Sequence, residues 1–183
     1  MSSRSSEVQP WQDAFVSALE GLERDHDRGA LAELRRGRGR AFGEHAARDG
    51  WVLRTLSRAG AAWDGGDRRL GICCLVASLF AQHSSPGGKG SLGTAFHRLA
   101  TISPGAEQGA ERRFHHLLDS EFEDLPERLR HAVSLLKAKE MPVDWRRMLA
   151  DLCNWEWASR SVQKAWSRDF WAPVTHSEPA EQA

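Results

Sequence analysis

Apolar residues return along this chain at helical intervals, and nowhere with the sustained two-residue alternation of a half-buried strand. Trp11, Phe15, Ala18, Leu19 and Leu22 fall at i, i+4, i+7, i+8 and i+11, which predicts an amphipathic first helix with one core-facing stripe. Leu31 and Leu34 predict a short second helix that closes on Arg35 and Arg36. Gly37 and Gly39 end it, and a flexible basic link follows through Arg38 and Arg40. A third helix is expected from Gly43 to Ala59 with Trp51, Leu53 and Leu56 facing inward, before AGAAWDGGD breaks the pattern. The fourth, Arg68 to His83, carries Leu70, Ile72, Cys73, Leu75, Val76, Leu79 and Phe80. It is apolar nearly all round, which predicts the central buried helix of the first half.

SSPGGKGS reads as a loop, and Leu92, Phe96 and Leu99 then stand in register on a short helix. SPGAEQGA, from Ser103 to Ala110, is the best candidate boundary. Beyond it come three more stripes: Phe114, Leu117 and Leu118, then Leu129, Val133 and Leu136, then Met148, Leu149, Leu152 and Trp155. Asp124, with Glu127 three residues on, resembles a helix start, and Asp144 is placed to cap the helix after Pro142. The expected fold is therefore all-α, two small helical bundles packed side by side. Their expected bounds are residues 1–105 and 106–172, followed by a polar, disordered tail over 173–183.

Composition supports a soluble globular chain, since 40% of residues are hydrophobic, 27% are charged, and no apolar run nears the roughly 18 residues of a membrane helix. MSSRSSEVQPW has no apolar export stretch, so a cytoplasmic location is expected. Cys73, Cys74 and Cys153 are too few and too irregular for a disulfide framework and read as buried thiols. Formal charge is zero, which argues against a freely diffusing basic protein that coats nucleic acid and leaves the distribution of charge to decide.

Catalytic motifs do not emerge. In Gly87-Gly88-Lys89-Gly90-Ser91, the lysine is followed by glycine instead of Ser or Thr, the upstream glycine spacing is missing, and a helix precedes the loop where a phosphate loop needs a strand. Adjacent His115 and His116 point roughly 100° apart on a helix and cannot share one metal, while Asp25-His26-Asp27 reads as a solvated loop. No catalytic residue, metal or cofactor is expected. Of the eight tryptophans, Trp11, Trp51, Trp145 and Trp155 sit at core spacing and read as packing residues, whereas Trp157 is the one periodicity explains least.

The arginines carry more information. Arg68 and Arg69, Arg112 and Arg113, and Arg146 and Arg147 are each expected in the first turn of a helix, where the macrodipole disfavours cations by about 0.3–1 kcal/mol. Selection for stability alone would place acids there, so these pairs answer either to local acids such as Glu111 and Asp144 or to an outside polyanion. Phosphate suits the guanidinium fork. Arg35, Arg36, Arg38 and Arg40 form the densest cluster, with no acid between Arg35 and Ala41, and their interleaved glycines let a phosphate approach the backbone. These ten arginines are the candidate nucleic-acid contacts.

Residues 91–171 carry, in order, SLGTAFHRLA, ERRFHHLL, LPERLRHAVSLLKAKEMPVDWRRMLADLCNWEW and VQKAWSRDFW. In these segments the chain resembles the CasB family, the small subunit of the type I-E CRISPR Cascade complex, with looser agreement through LAELRRGRGR and LGICCLVASLFAQH. The resemblance implies a non-catalytic two-bundle protein, present in two copies beside a backbone filament and a large subunit. It implies contact with guide RNA and target DNA, and with no membrane. It matches Arg35 and Arg36 to the family's paired basic residues, Arg112 and Arg113 to its Glu-Arg-Arg motif, and Arg146 and Arg147 to positions after its Asp-Trp. WVLRTL replaces the family's aromatic-rich helix, and the zero net charge departs from its basic members. Two other readings compete: a helix-turn-helix regulator, which needs a recognition helix and paired half-sites, and a helical metal-dependent hydrolase, which needs clustered ligands.

Overall fold

A computed structural model of the chain describes residues 7–61, 66–102, 107–155 and 159–171. Trp157 and the tail over 173–183 lie outside these residues, as does the first half of SPGAEQGA, residues 103–106. The described residues form nine α-helices and no strand: α1 (Pro10–Arg24), α2 (Arg28–Arg36), α3 (Ala46–Arg58), α4 (Gly66–Gln82), α5 (Leu92–Ile102), α6 (Glu107–Leu118), α7 (Leu125–Ala138), α8 (Trp145–Cys153) and α9 (Ser161–Phe170). The protein is all-α, as the spacing of its apolar residues predicts.

Helix starts follow local chemistry. Pro10 opens α1 where a missing N–H costs nothing, and the Gln9 N–H donates to the Gln12 side chain at 2.7 Å. Asp27 accepts from the Ala30 N–H at 2.9 Å to cap α2, and Asp144 accepts from the Arg147 N–H at 3.0 Å to cap α8. Asp124 precedes α7 but makes no capping bond. Its backbone is already helical and continues a turn from Glu121, so its carboxylate is not carried over the first N–H groups.

α4 is covered on several sides: α2 and α3 pack on it from the first half of the chain, α7 and α8 from the second. Ile72, Cys73, Cys74, Val76, Ala77, Leu79 and Phe80 are all buried. The other stripes are buried as spaced, including Phe15 and Leu19, Leu129, Val133 and Leu136, and Met148, Leu149 and Leu152. α3 differs from expectation. It begins at Ala46, and Val52 and Leu56 face the core together with Arg48 and Asp49, so Leu53 turns outward at 37% exposure. The buried pair sets the rotation of this helix, and a pattern that counts only apolar residues misplaces its face.

α5 packs on α6 and α9. Its Ser91 neighbour donates to Asp169 at 2.5 Å, and the His97 ring meets the Phe170 carbonyl at 2.7 Å. The glycine-rich loop is structural: a Cβ at Gly88 would run into the Val143 backbone, and the Gly90 N–H donates to Asp144 at 3.2 Å. Trp145 and Trp155 are buried, Trp145 edge-on to Phe80 and Trp155 against Trp166, while Trp11 and Trp51 lie half-buried against the core. The division into units at residues 105 and 106 stands as a proposal about folding, with α8 resting on α1 and α4 across it and the buried side chains forming one cluster.

Gly93 is where α5 and α9 touch most closely, since a Cβ there would enter the Trp166 carbonyl. Gly93→Ala is expected to destabilise the chain by about 1–3 kcal/mol through overpacking. Thermal unfolding should show it as a melting point lowered by at least about 2 °C.

Candidate nucleic-acid interface

Two grooves flank the exposed face of α7. One, of about 460 Å³, opens between α6 and α7 and is lined by Arg113, His116, Arg128, His131 and Ser134, with no acid in its wall among the described residues. The other, of about 420 Å³, is lined by Arg28, Arg35, Gln82, His83 and Lys137, and by the acid Glu23. The wall between them is polar: the Gln82 amide of α4 donates to Ser134 at 2.5 Å. Arg38 donates to the Gln82 carbonyl oxygen at 2.8 Å, which joins the link after α2 to the same seam. Arg130 closes over Gly39, where a Cβ would lie 2.9 Å from the guanidinium. Through these contacts the link, with Arg38, adjoins the face of α7 that shares the first groove with α6.

Arg35 and Arg38 stand at the C-terminal end of α4. Arg35 donates through Nε and Nη2 to the Ala81 carbonyl at 3.0 and 2.7 Å, a place where the helix dipole favours a cation. Arg36 pairs with Glu33 and keeps a side chain 63% exposed; Arg40 is exposed and makes a long 3.4 Å bond to the Glu44 carbonyl. The link is hydrogen-bonded from beneath along its carbonyls. Arg48 lies beneath it with 1% exposure and donates to the carbonyls of Gly37 at 2.6 Å, Arg40 at 2.9 Å and Ala41 at 2.7 Å. Asp49 holds the guanidinium and also accepts from the Gly43 N–H at 2.8 Å.

The other pairs divide. Arg112 and Arg113 are exposed, but α6 begins at Glu107, so they occupy its second turn and the dipole argument does not apply to them. Gly109, read as part of a breaker, is helical, and its carbonyl accepts from Arg113 at 3.3 Å. Arg68 and Arg69 do fall in the first turn of α4. Arg68 lies over the Phe122 ring at 4.4 Å and Arg69 over Trp11 at 5.5 Å, some 20 Å along α4 from the Arg35 end by its rise per residue.

Arg146 and Arg147 sit in the first turn of α8 among acids of the same chain. Arg146 donates to both Glu20 oxygens at 2.6 and 2.8 Å, to Ser17 at 2.9 Å and to Asp13. Arg147 donates to Asp151 at 2.9 Å, and that buried carboxylate accepts the Trp166 indole N–H at 2.7 Å. These interactions offset the dipole penalty internally.

Sequence reasoning missed Arg28, Arg128, Arg130, His131 and Lys137. Their positions between the apolar stripes of α2 and α7 were visible; their approach to the link was not. Among the described residues no group of three or more His, Cys, Asp or Glu could hold a metal, and no helix is long and apolar enough to cross a membrane. Burial pushes the Cys74 thiol up to about 12 and Cys73 well above its ordinary value, so neither offers a thiolate at neutral pH.

The fold is shared with small all-helical CRISPR-associated proteins of known structure. It is similar to a Cse2-family protein of Thermus thermophilus, 26% identical with a TM-score of 0.74, over 88% of this chain and 98% of that one. It is also similar to M. ruber CasB, 28% identical with a TM-score of 0.75, over 90% of this chain and 94% of that one. A chain from a CRISPR RNA-guided surveillance complex shares the fold at 22% identity and a TM-score of 0.69, over 87% of this chain and 91% of that one. The curated relative, CRISPR-associated protein Cse2 of Thermus thermophilus, is 32% identical over 104 residues, which span 57% of this chain and 58% of that protein. The family of CRISPR-associated protein Cse2 matches residues 30–171. The chain belongs to the Cse2 family, and its resemblance to CasB holds.

Burial alone would raise the Asp49 carboxyl, but hydrogen bonds from Arg48 and the Gly43 N–H, with the Arg48 charge, hold it below its ordinary value. A depressed folded value means the stabilisation is complete above the unfolded value, about 4, and is lost as pH falls through the folded one. The stability gap between wild type and Asp49→Asn is therefore expected to be full above about pH 4 and to narrow below it, as read by thermal unfolding across pH.

Proposed function

We propose that this chain is a non-catalytic small subunit of a type I-E CRISPR surveillance ribonucleoprotein. In this reading it holds nucleic-acid backbone and so stabilises the R-loop and its displaced strand during antiviral defence. Family membership supports the assembly, as does the fold shared with a chain of a CRISPR RNA-guided surveillance complex. The observation that carries the binding role is the cationic surface over the link, α7 and α6, whose α6–α7 groove is lined by Arg113 and Arg128 with no acid in its wall among the described residues. Strand exchange during R-loop formation is nearly balanced, so a few phosphate contacts tip it without any need to read sequence. Partners in this reading are the backbone filament, the large subunit, a second copy of the chain, the guide RNA and the target DNA.

Within the ten candidate arginines, the reading ranks Arg36, Arg40, Arg112 and Arg113 first, because they are exposed and flank or line the cationic surface. Arg35 and Arg38 contribute charge at its base. Arg68 and Arg69 lie at the far end of α4, and Arg146 and Arg147 are assigned mainly to stability.

Salt-titrated binding of single-stranded DNA tests this. Each lost phosphate contact should flatten the log K against log salt slope by about 0.7. Arg36, Arg40, Arg112 and Arg113 replaced together by alanine should flatten it by several such steps. Arg146→Ala should lower the melting point and leave the slope unchanged. Equal slopes for the fourfold variant and wild type would remove the binding site from this surface.

A further inference from the structure

A buried guanidinium loses several kcal/mol of hydration, and an apolar side chain of similar size serves a purely packing role at least as well. Arg48 nonetheless sits at 1% exposure beside Asp49 at 6%, and both bond to the segment over residues 37–45, Asp49 accepting in addition from the Cys74 thiol of α4 at 3.4 Å. The guanidinium takes the carbonyls of Gly37, Arg40 and Ala41 as acceptors. The carboxylate takes the N–H groups of Gly43 at 2.8 Å and His45 at 3.4 Å as donors. An ion pair supplies both what an irregular segment's carbonyls need and what its amides need, which no apolar pair does.

The same segment is fixed from the other side. Gly37 lies so close that a Cβ would meet the Arg48 Cδ at 2.6 Å, and Gly39, at φ +79°, lies under Arg130 of α7. With three carbonyls turned inward, the side chains of Arg38 and Arg40 remain exposed. Arg38 keeps its register on α7 through Gln82 and Ser134.

We propose that Arg48 is a positioning residue for the interface: from beneath, it fixes the course of residues 37–45 and so sets Arg38 and Arg40 beside the cations of α7. The effect on binding rests on the nucleic-acid reading above; the effect on the link does not. Arg48 touches no ligand in this account. It acts through the backbone that it holds.

Amide hydrogen exchange on the full chain separates these two effects. In Arg48→Met, which removes the donors and keeps much of the bulk, amides from Arg40 to His45 should exchange about tenfold faster, while Leu129–Leu136 of α7 keeps its rates. Gly37→Ala perturbs the same contact from the link side with the ion pair intact, and should loosen the same amides if Arg48→Met does not fold. In single-stranded DNA binding, Arg48→Met should flatten the salt slope, and adding Arg40→Ala should flatten it no further. Link exchange unchanged in both variants, or raised equally in α7, overturns the positioning role. A loosened link with the wild-type salt slope overturns its connection to binding. If wild type itself shows no salt-dependent binding, the nucleic-acid reading fails, and the exchange pattern still decides what Arg48 does to the link.

Discussion

Helix α4 carries apolar side chains around nearly its whole circumference, so it is stable only where other helices cover it on several sides. α2, α3, α7 and α8 do so, and α2, α3 and α7 keep exposed residues on the faces turned away from it. Burying each of its large side chains contributes on the order of 1.5–3 kcal/mol, which makes this cover the main organising term of the fold. The cover also decides where charge accumulates. α2 and α7 both flank α4 near its C-terminal end, and Arg28, Arg35 and Lys137 line a groove there, at the negative end of its dipole, where Arg35 reaches the Ala81 carbonyl. A cationic surface at this place is thus a consequence of packing as much as of composition.

How much could be read in advance follows from the range of each interaction. The stripes of α1, α7 and α8 are local, repeating within one helix, and they are buried as their spacing predicts. α3 is the exception because its inward face includes Arg48 and Asp49, residues that a hydropathy pattern assigns to the surface. Once these face the core, 3.6-residue geometry brings Val52 and Leu56 in with them and sends Leu53 out. Nothing near Arg48 in the sequence signals this. Its carbonyl acceptors lie 7 to 11 residues earlier, in a segment whose glycines read as freedom and turn out to be clearance.

The arginine pairs show the same limit at longer range. A first-turn cation implies a compensating anion, and for Arg146 the anions are Asp13 and Glu20, 133 and 126 residues away along the chain. No local reading could separate that partner from a phosphate outside the protein. Arg112 and Arg113 failed the argument for a simpler reason, since Gly109 continues α6 instead of interrupting it. In α7 the apolar stripe was legible and the cations between its members were visible, but the helix face they share acquires meaning only when the link settles against it.

The zero net charge then loses its force against a polyanion partner. Several acids are engaged with arginines away from the α6–α7 groove: Asp49 with Arg48, Asp151 with Arg147, and Asp13 and Glu20 with Arg146. Those pairs nearly cancel one another's fields beyond a few ångströms, and at physiological salt the Debye length of about 8 Å screens what remains. A phosphate approaching the α6–α7 groove therefore responds mainly to the side chains nearest to it, Arg113 and Arg128 among them, and not to the sum over the chain. Neutral composition and a locally cationic face are compatible because folding sorts paired charges from unpaired ones.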